Sequence, residues 1–595
     1  MAKGSLDIID VEEAGSLPGL FQERTRRTPQ ALAYRYFDAG QSAWVDFSWA
    51  EAAAQIDAIR VALAKEDLQA GDRVALMLRN CPQWVFFEQA ALAQGLVVVP
   101  LYTDDRADNV SYVLQDAGIK LLLVENDTTL AKLAPIRAQL QGLLRVVSVQ
   151  PCKPSSDYSR LVTLQDWQVI GETPPPSAQL DIDSLATLVY TSGTTGRPKG
   201  VMLSHRNILF NAHAATELLD IYREDLFLSF LPLSHMLERT LGYYIPVMAG
   251  SSVAFARSVQ DLAEDLLRQR PSVLISVPRI YERVYNKIYT QLESRPPVAQ
   301  KMFHKAVETG WRRFQNRGGG GLQWLILKKL VADKVLAKLG GRLRLAVCGG
   351  APLSAEVAKT FIGLGLNLIQ GYGLTETSPI VSGNPEDDND PASVGVPMPG
   401  IEVKIGPDDE LLTRSPSVML GYWNNPEATQ AMIDGEGWLH TGDKARIENG
   451  HIYITGRLKE IIVLSNGEKI PPADMEMAIS LDPMVEQALV VGEGKPYLSA
   501  IVVLDSEALR EEAEAQGFDL KDPEVLNSKP MCRWMLERIT PLLKDFPGYA
   551  KLRAVTLLNQ PWNIDDGTMT PTMKLKRKII LEKHKDHIEK MYEGH

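Results

Sequence analysis

The residues best equipped for chemistry gather in a few short stretches, and the densest is Tyr190-Thr-Ser-Gly-Thr-Thr-Gly-Arg-Pro-Lys-Gly-Val201. It follows an apolar, strand-like run at residues 185–189. The glycines at 193, 196 and 200 admit positive φ and close backbone approach. Backbone N–H groups and the hydroxyls of Thr191, Ser192, Thr194 and Thr195 supply donors, and Lys199 adds a mobile positive charge. Such a segment can wrap a polyphosphate. It is not the nucleotide P-loop G-x-x-x-x-G-K-[ST], because Lys199 is followed by Gly200. The competing reading is an ordinary hairpin loop, although the stretch holds more donors than a turn needs.

Further along, Cys348-Gly-Gly-Ala-Pro-Leu-Ser354 follows a strand-like run at 343–347, and its small residues Gly349, Gly350, Ala351 and Pro352 let a flat ring approach the backbone. A strand expected at 365–369 ends in Gln370-Gly-Tyr-Gly-Leu-Thr-Glu-Thr377. Here Gln370, Gly371 and Gly373 surround the stacking face of Tyr372, with Thr375 as a phosphate donor and Glu376 as a hard oxygen ligand for magnesium. Gly437-Trp-Leu-His-Thr-Gly-Asp443 sets a carboxylate after a tight turn, where it can accept both hydroxyls of a ribose. For Asp443 and Arg457 a surface ion pair is an equal reading. His235, in Leu231-Pro-Leu-Ser-His-Met-Leu-Glu-Arg-Thr240, reads either as a cleft residue or as packed core.

Positioning these residues needs a framework, and short apolar strands alternating with helical stretches from Asp72 onward imply a largely parallel α/β sheet covered on both faces. Before it, residues 1–60 read as a lead-in followed by a helix whose start carries the capping box Ser48-Trp-Ala-Glu51. After residue 473 the strands shorten and the helices become long and charged, as in a small α+β domain. Two units are expected, 1–457 and 458–595, since 595 residues exceed a single core.

The 45% hydrophobic and 23% charged fractions belong to a folded globular chain. Four scattered cysteines with no C-x-x-C pairing argue against a zinc or disulfide framework and suit a reducing, cytoplasmic setting. A signal-peptide pattern is missing, as is any apolar run of the ~18 residues that span a bilayer. A net charge of −11 argues against general nucleic-acid binding. That charge is uneven: residues 279–344 hold 15 Lys or Arg against four acids, a local +11 against −22 for the remainder. The block reads as a solvated helical face, as a contact for anionic lipid at the inner membrane face, or as a site for a phosphorylated ligand. Monomer and homodimer both stay open.

These motifs, in this order and over nearly the whole chain, resemble the adenylate-forming (AMP-binding) superfamily. Leu-Pro-Leu-Ser-His-Met-Leu-Glu-Arg, Val277-Pro-Arg-Ile-Tyr-Glu282 with the basic insertion after it, and Thr570-Pro-Thr-Met-Lys-Leu-Lys-Arg577 are similar to its long-chain fatty acyl-CoA synthetases. The resemblance implies a large multi-subdomain N-terminal domain and a smaller mobile C-terminal one. It also implies ATP-dependent conversion of a fatty acid to acyl-AMP and pyrophosphate, then thioester formation with coenzyme A. An acyl-AMP ligase loading a carrier protein is the alternative.

By resemblance, the catalytic lysine is Lys574, with Lys576 as the competitor because Met573 replaces a glycine common in shorter-chain branches. Thr191 and Glu376 would hold Mg2+; Ser192, Gly193, Thr194, Thr195, Gly196 and Lys199 would hold the β- and γ-phosphates. Adenine would lie between Gly350-Ala351-Pro352 and Tyr372, with Gln370, Gly371 and Gly373 also counted as nucleotide-binding; Thr375 would meet the α-phosphate, and Asp443 with Arg457 would hold ribose. Lys459 would be the hinge, Ser465, Asn466, Gly467 and Glu468 would line the pantetheine tunnel, and His235, Val277, Gly349 and Thr377 the acyl pocket.

Overall fold

The computed structural model describes residues 4–152, 160–191, 197–315, 321–520, 522, 525–544, 546–570 and 573–593. Two large sheets share one apolar core. The eight-stranded sheet runs in the order Gly421–Tyr422, Lys199–Ser204, Leu185–Thr191, Val97–Pro100, Arg73–Met77, Ile119–Val124, Arg145–Ser148, Leu161–Thr163. Its members from Leu185–Thr191 outward to Leu161–Thr163 are parallel, and the two strands at the other edge are antiparallel. The nine-stranded sheet is parallel through its middle and antiparallel at both ends. This is the α/β architecture that the alternating strands and helices predict.

Helix Pro82–Ala93 lies in the shared core. Trp84, Phe87, Ala90 and Leu92 are fully buried, in one cluster with Leu76 and Val98 of one sheet and Val253 and Val273 of the other. A helix apolar on every side belongs in such a place. It also carries a charge inward: Glu88 pairs with Arg239, both fully buried, and Arg239 donates to the Thr187 hydroxyl at 2.9 Å. Removing one member of a buried pair costs about 3–5 kcal/mol. The pair therefore pins the strand that leads to Thr191, four residues beyond Thr187.

The lead-in is more structured than expected. Helix Leu17–Arg27 and the hairpin Leu32–Asp38 with Ala43–Ser48 precede helix Trp49–Ala64, and the hairpin closes the edge of the nine-stranded sheet. The expected capping box at Ser48 and Glu51 is present. The strand expected at 365–369 instead spans Leu368–Gly373 and carries Gly-Tyr-Gly as its last residues, paired with Ile380–Gly383. Only glycine fits at 373, where a Cβ would stand 1.9 Å from the Pro379 carbonyl oxygen.

A four-stranded antiparallel sheet ends in Leu439–Glu448 and His451–Arg457. After it come a two-stranded hairpin and a three-stranded sheet covered by helices, which form a separate core around Ile479, Val502, Met535 and Leu557. The glycine run Gly318-Gly-Gly-Gly321, a sequence suited to a flexible joint, falls outside the described residues except for Gly321. No helix among the described residues is long and apolar enough to cross a membrane.

Candidate active site

The ends of three sheets meet the C-terminal segment around one cleft of about 960 Å³. Cross-strand register brings several of the singled-out residues to its walls. Thr191 faces Lys199 across the hairpin that the glycine-rich loop closes, and Asp443 faces Arg457 across the four-stranded sheet. Residues Ser192, Gly193, Thr194, Thr195 and Gly196 lie outside the described residues.

Asp443 is the most engaged member. Its Oδ2 accepts the Tyr372 hydroxyl at 2.6 Å, and its Oδ1 stands 3.1 Å from Arg457 Nε. Burial pushes its carboxyl up from the ordinary value, against the pull of Arg457, the Tyr372 hydroxyl and Lys574. The pair is thus not a plain surface ion pair, since the Asp443 side chain is only 5% exposed. The turn ahead of it is held by Glu410, whose Oε1 accepts the Gly442 N–H at 2.8 Å while Oε2 meets His440 Nδ1 at 2.8 Å.

Glu376 sits on a short 3₁₀ turn, Thr375–Thr377, just after the Gly-Tyr-Gly strand. Its Oε1 accepts the Tyr422 hydroxyl at 2.7 Å, leaving Oε2 open among the described residues. The Lys199 ammonium stands 4.9 Å from the centre of the Tyr422 ring. Tyr422 therefore links the lysine of the loop to the candidate metal ligand.

Lys574 enters from the C-terminal segment on a tight turn. Its N–H donates to the Thr570 hydroxyl at 3.0 Å, its carbonyl accepts the Thr570 N–H at 2.9 Å, and Met573 before it adopts φ +62°. Methionine thus occupies a left-handed position that glycine takes more readily. The Lys574 side chain is open to water within the cleft, yet protein closes around that cleft. Desolvation lowers its pKa first and Arg457 lowers it further, while Asp443, Glu376 and Glu460 offset part of this. Lys576 also reaches the wall, but its charge acts on Asp105, at the start of helix Ala107–Asp116.

His235 combines its two readings. It lines the cleft, its Nδ1 accepts the Leu237 N–H at 3.2 Å, and burial, helped by Lys574, lowers its pKa to about 4. It is a neutral wall residue at physiological pH. Gly349, Gly350, Gln370, Gly371, Gly373, Thr375 and Lys459 also line the cleft. The Gln370 amide is already committed, accepting the Leu353 N–H and donating to the Pro391 carbonyl.

Eight expected residues lie off the cleft wall in this structure. Val277 packs behind Gly350 instead of on the wall, and Ala351 and Pro352 stand exposed outside the lining. Thr377 is 1% exposed and spends its hydroxyl on Leu374 and Pro379. Ser465, Asn466, Gly467 and Glu468 form the tip of the Ile462–Val463 and Lys469–Ile470 hairpin, away from the cleft.

Sequence reasoning missed Tyr422, Asp116, Glu410 and His440. Each acts through a partner 30 or more residues away (Tyr422 with Glu376, Asp116 with Tyr190, Glu410 with His440), so no local spacing exposes it. Tyr422→Phe is expected to raise the KM for magnesium-ATP about tenfold with thermal stability kept, because it removes one hydrogen bond to a charged group. An unchanged KM in steady-state kinetics would show that the Tyr422–Glu376 link is idle.

Two family profiles cover most of the chain: AMP-binding enzyme over residues 21–423, and AMP-binding enzyme C-terminal domain over 459–595. Among curated proteins, the long-chain-fatty-acid–CoA ligase FadD15 of Mycobacterium bovis is 34% identical, with 98% of each chain covered. The peroxisomal long chain acyl-CoA synthetase 7 of Arabidopsis thaliana is 31% identical over 93% of this chain and 82% of its own. Among solved structures, the adenylation domain of a carboxylate reductase from Mycobacterium chelonae matches with TM-score 0.77 at 21% identity, covering 98% of this chain and 93% of that one. The anthranilate CoA ligase AuaEII matches with TM-score 0.74 at 20% identity, covering 96% and 98%. The cleft between a glycine-rich hairpin, a Gly-Tyr-Gly strand and a lysine of the C-terminal segment is thus found in a chain that matches one group over nearly its whole length, and the protein belongs to the AMP-binding enzyme family.

Proposed function

We propose that this protein is a long-chain fatty acid–CoA ligase that forms acyl-AMP and then acyl-CoA. Relatives of that name, 30–34% identical over most of the chain, support the reaction class. The observation that carries the residue assignments is the meeting of Lys574 with Asp443, Arg457 and Glu376 in one cleft.

In the first step a carboxylate oxygen bonds to the α-phosphorus of ATP, the bond from that phosphorus to the bridging oxygen breaks, and pyrophosphate leaves. Both reactants are anions, so positive charge must stand between them. Lys574 supplies it, Asp443 and Arg457 hold the ribose, Tyr372 offers its ring to adenine, and Lys199 takes the outer phosphates. In the second step the thiol sulfur of coenzyme A bonds to the acyl carbon as its proton passes to water, the bond from that carbon to the phosphate oxygen breaks, and AMP leaves. That step needs the Ser465–Glu468 tip brought to the cleft by rotation at Lys459, between units 1–457 and 458–595.

The donor set fits magnesium: Glu376 Oε2 and the Thr191 hydroxyl offer two hard oxygens, and this ion keeps several waters and takes the rest from phosphates. Bound there it would neutralise phosphate charge. The four cysteines are all free thiols, which supports a cytoplasmic setting.

An AMP-release assay with coenzyme A across saturated acids tests the substrate class. Each CH₂ buried is worth ~0.8 kcal/mol, about fourfold in kcat/KM, so the value should climb with chain length; the resemblance to long-chain synthetases implies that it peaks among long acids. A preference for short acids would overturn the long-chain assignment. AMP release without thioester on free coenzyme A would point to a carrier protein as acceptor.

A further inference from the structure

The basic segment carries an apolar stripe that stays exposed among the described residues. From Gly321–Leu327 through the π-helical turn Lys328–Ala332, Trp324, Leu327 and Ala332 are buried against the domain. The other side of the same helix shows Leu322 at 73%, Leu325 at 62%, Ile326 at 50% and Leu330 at 46% exposure. A helix on a protein surface normally turns polar residues outward. Here lysines stand beside the outward apolar groups. Lys329 and Lys334 are exposed and have no ion pair among the described residues, and Lys328 is bonded to Asp333 at 2.7 Å.

We propose that this stripe docks on an anionic phospholipid surface, with the four aliphatic side chains entering the boundary between headgroups and acyl chains and Lys329 and Lys334 at the level of the phosphates. Charge decides the occupant. The segment is +11 in a chain of −11, so a two-fold contact between copies would press two strongly positive faces together. Nucleic acid would answer the lysines but leave the leucines in water. A bilayer with acidic lipid satisfies both, and because no described helix can cross it, the contact lies on the surface. The inference stands apart from the acid-activating reading, since it rests on this helix alone.

The test is co-sedimentation of the full-length protein with vesicles of phosphatidylcholine alone and of phosphatidylcholine mixed with phosphatidylglycerol. The parent protein should bind the mixed vesicles, release them in high salt, and ignore neutral ones. Leu325→Glu with Ile326→Glu should lower the partition coefficient about tenfold through lost apolar insertion. Lys329→Glu with Lys334→Glu should lower it about as much through lost attraction. AMP release on a soluble acid should stay at the parent rate in both variants, which shows that they fold. Equal binding to neutral vesicles, no binding, or unchanged binding by the variants would overturn the proposal. So would a dimer in light scattering that the leucine variant splits, which would give the stripe to a second copy.

Discussion

Lys574→Ala is expected to lower ATP–pyrophosphate exchange about 10²–10³-fold while preformed acyl-adenylate is still converted to thioester. The magnitude is that of removing one preorganised group aimed at charge developing in a transition state. The separation of the two half-reactions follows from geometry. Lys574 shares the cleft with Arg457, Asp443 and Glu376, where the first reaction brings two anions together, and it has no part in a thiol attack on a neutral carbonyl. The same substitution at Lys576 should have a small effect, since that charge acts on Asp105 instead. If exchange survives in Lys574→Ala and falls in Lys576→Ala, the catalytic role moves two residues along the chain.

A pH signature accompanies this loss. Desolvation and Arg457 lower the Lys574 pKa from its ordinary value of 10.5, so the ammonium form is present below the lowered pKa and is lost as pH rises through it. Exchange should therefore decline on the alkaline side earlier than an exposed lysine would dictate. Lys574→Arg should move that decline upward, because guanidinium stays charged.

Gly467→Leu should have the opposite selectivity, stopping thioester formation while leaving pyrophosphate exchange nearly intact. Gly467 lies at φ +85° at the tip of an exposed hairpin, and a Cβ placed there meets nothing within 4 Å. In the conformation that holds Lys574 in the cleft, a larger side chain is therefore harmless to the first step. On the rotation proposed for the second step, the same side chain would fill the proposed pantetheine channel. Leucine at positive φ also costs about 1 kcal/mol, so Gly467→Ala is the control. It carries the same strain with a far smaller side chain and should keep most of the thioester activity. Equal loss of both half-reactions in Gly467→Leu would show that the tip has no separate task.

Much of this site was legible because its parts are local. Thr191 and Lys199, Tyr372 and Glu376, and Asp443 with the turn before it each sit in a stretch of a dozen residues or fewer, at a strand end where open α/β sheets gather ligands. Short apolar runs alternating with helical stretches from Asp72 onward likewise marked the α/β framework, which includes strand Arg73–Met77 and helix Pro82–Ala93. Contacts made by folding were not legible. Tyr422 reaches Glu376 across 46 residues, and Glu88 meets Arg239 across 151. The hairpin at Leu32–Asp38 was missed because its burial alternates weakly, as an edge strand open to solvent does. Thr377 is a related case: its hydroxyl looks available in sequence, and only the fold turns it toward Pro379.

The proposed first step depends on one arrangement, a lysine of the C-terminal segment held in the cleft beside the reacting phosphate. A crystal structure with ATP and an unreactive fatty-acid analogue measures it directly. It should show the nucleotide between Thr191, Glu376 and Asp443, with Lys574 Nζ about 3 Å from an α-phosphate oxygen. Nucleotide bound elsewhere, or Lys574 turned out to solvent with the α-phosphate met by another cation, would contradict it.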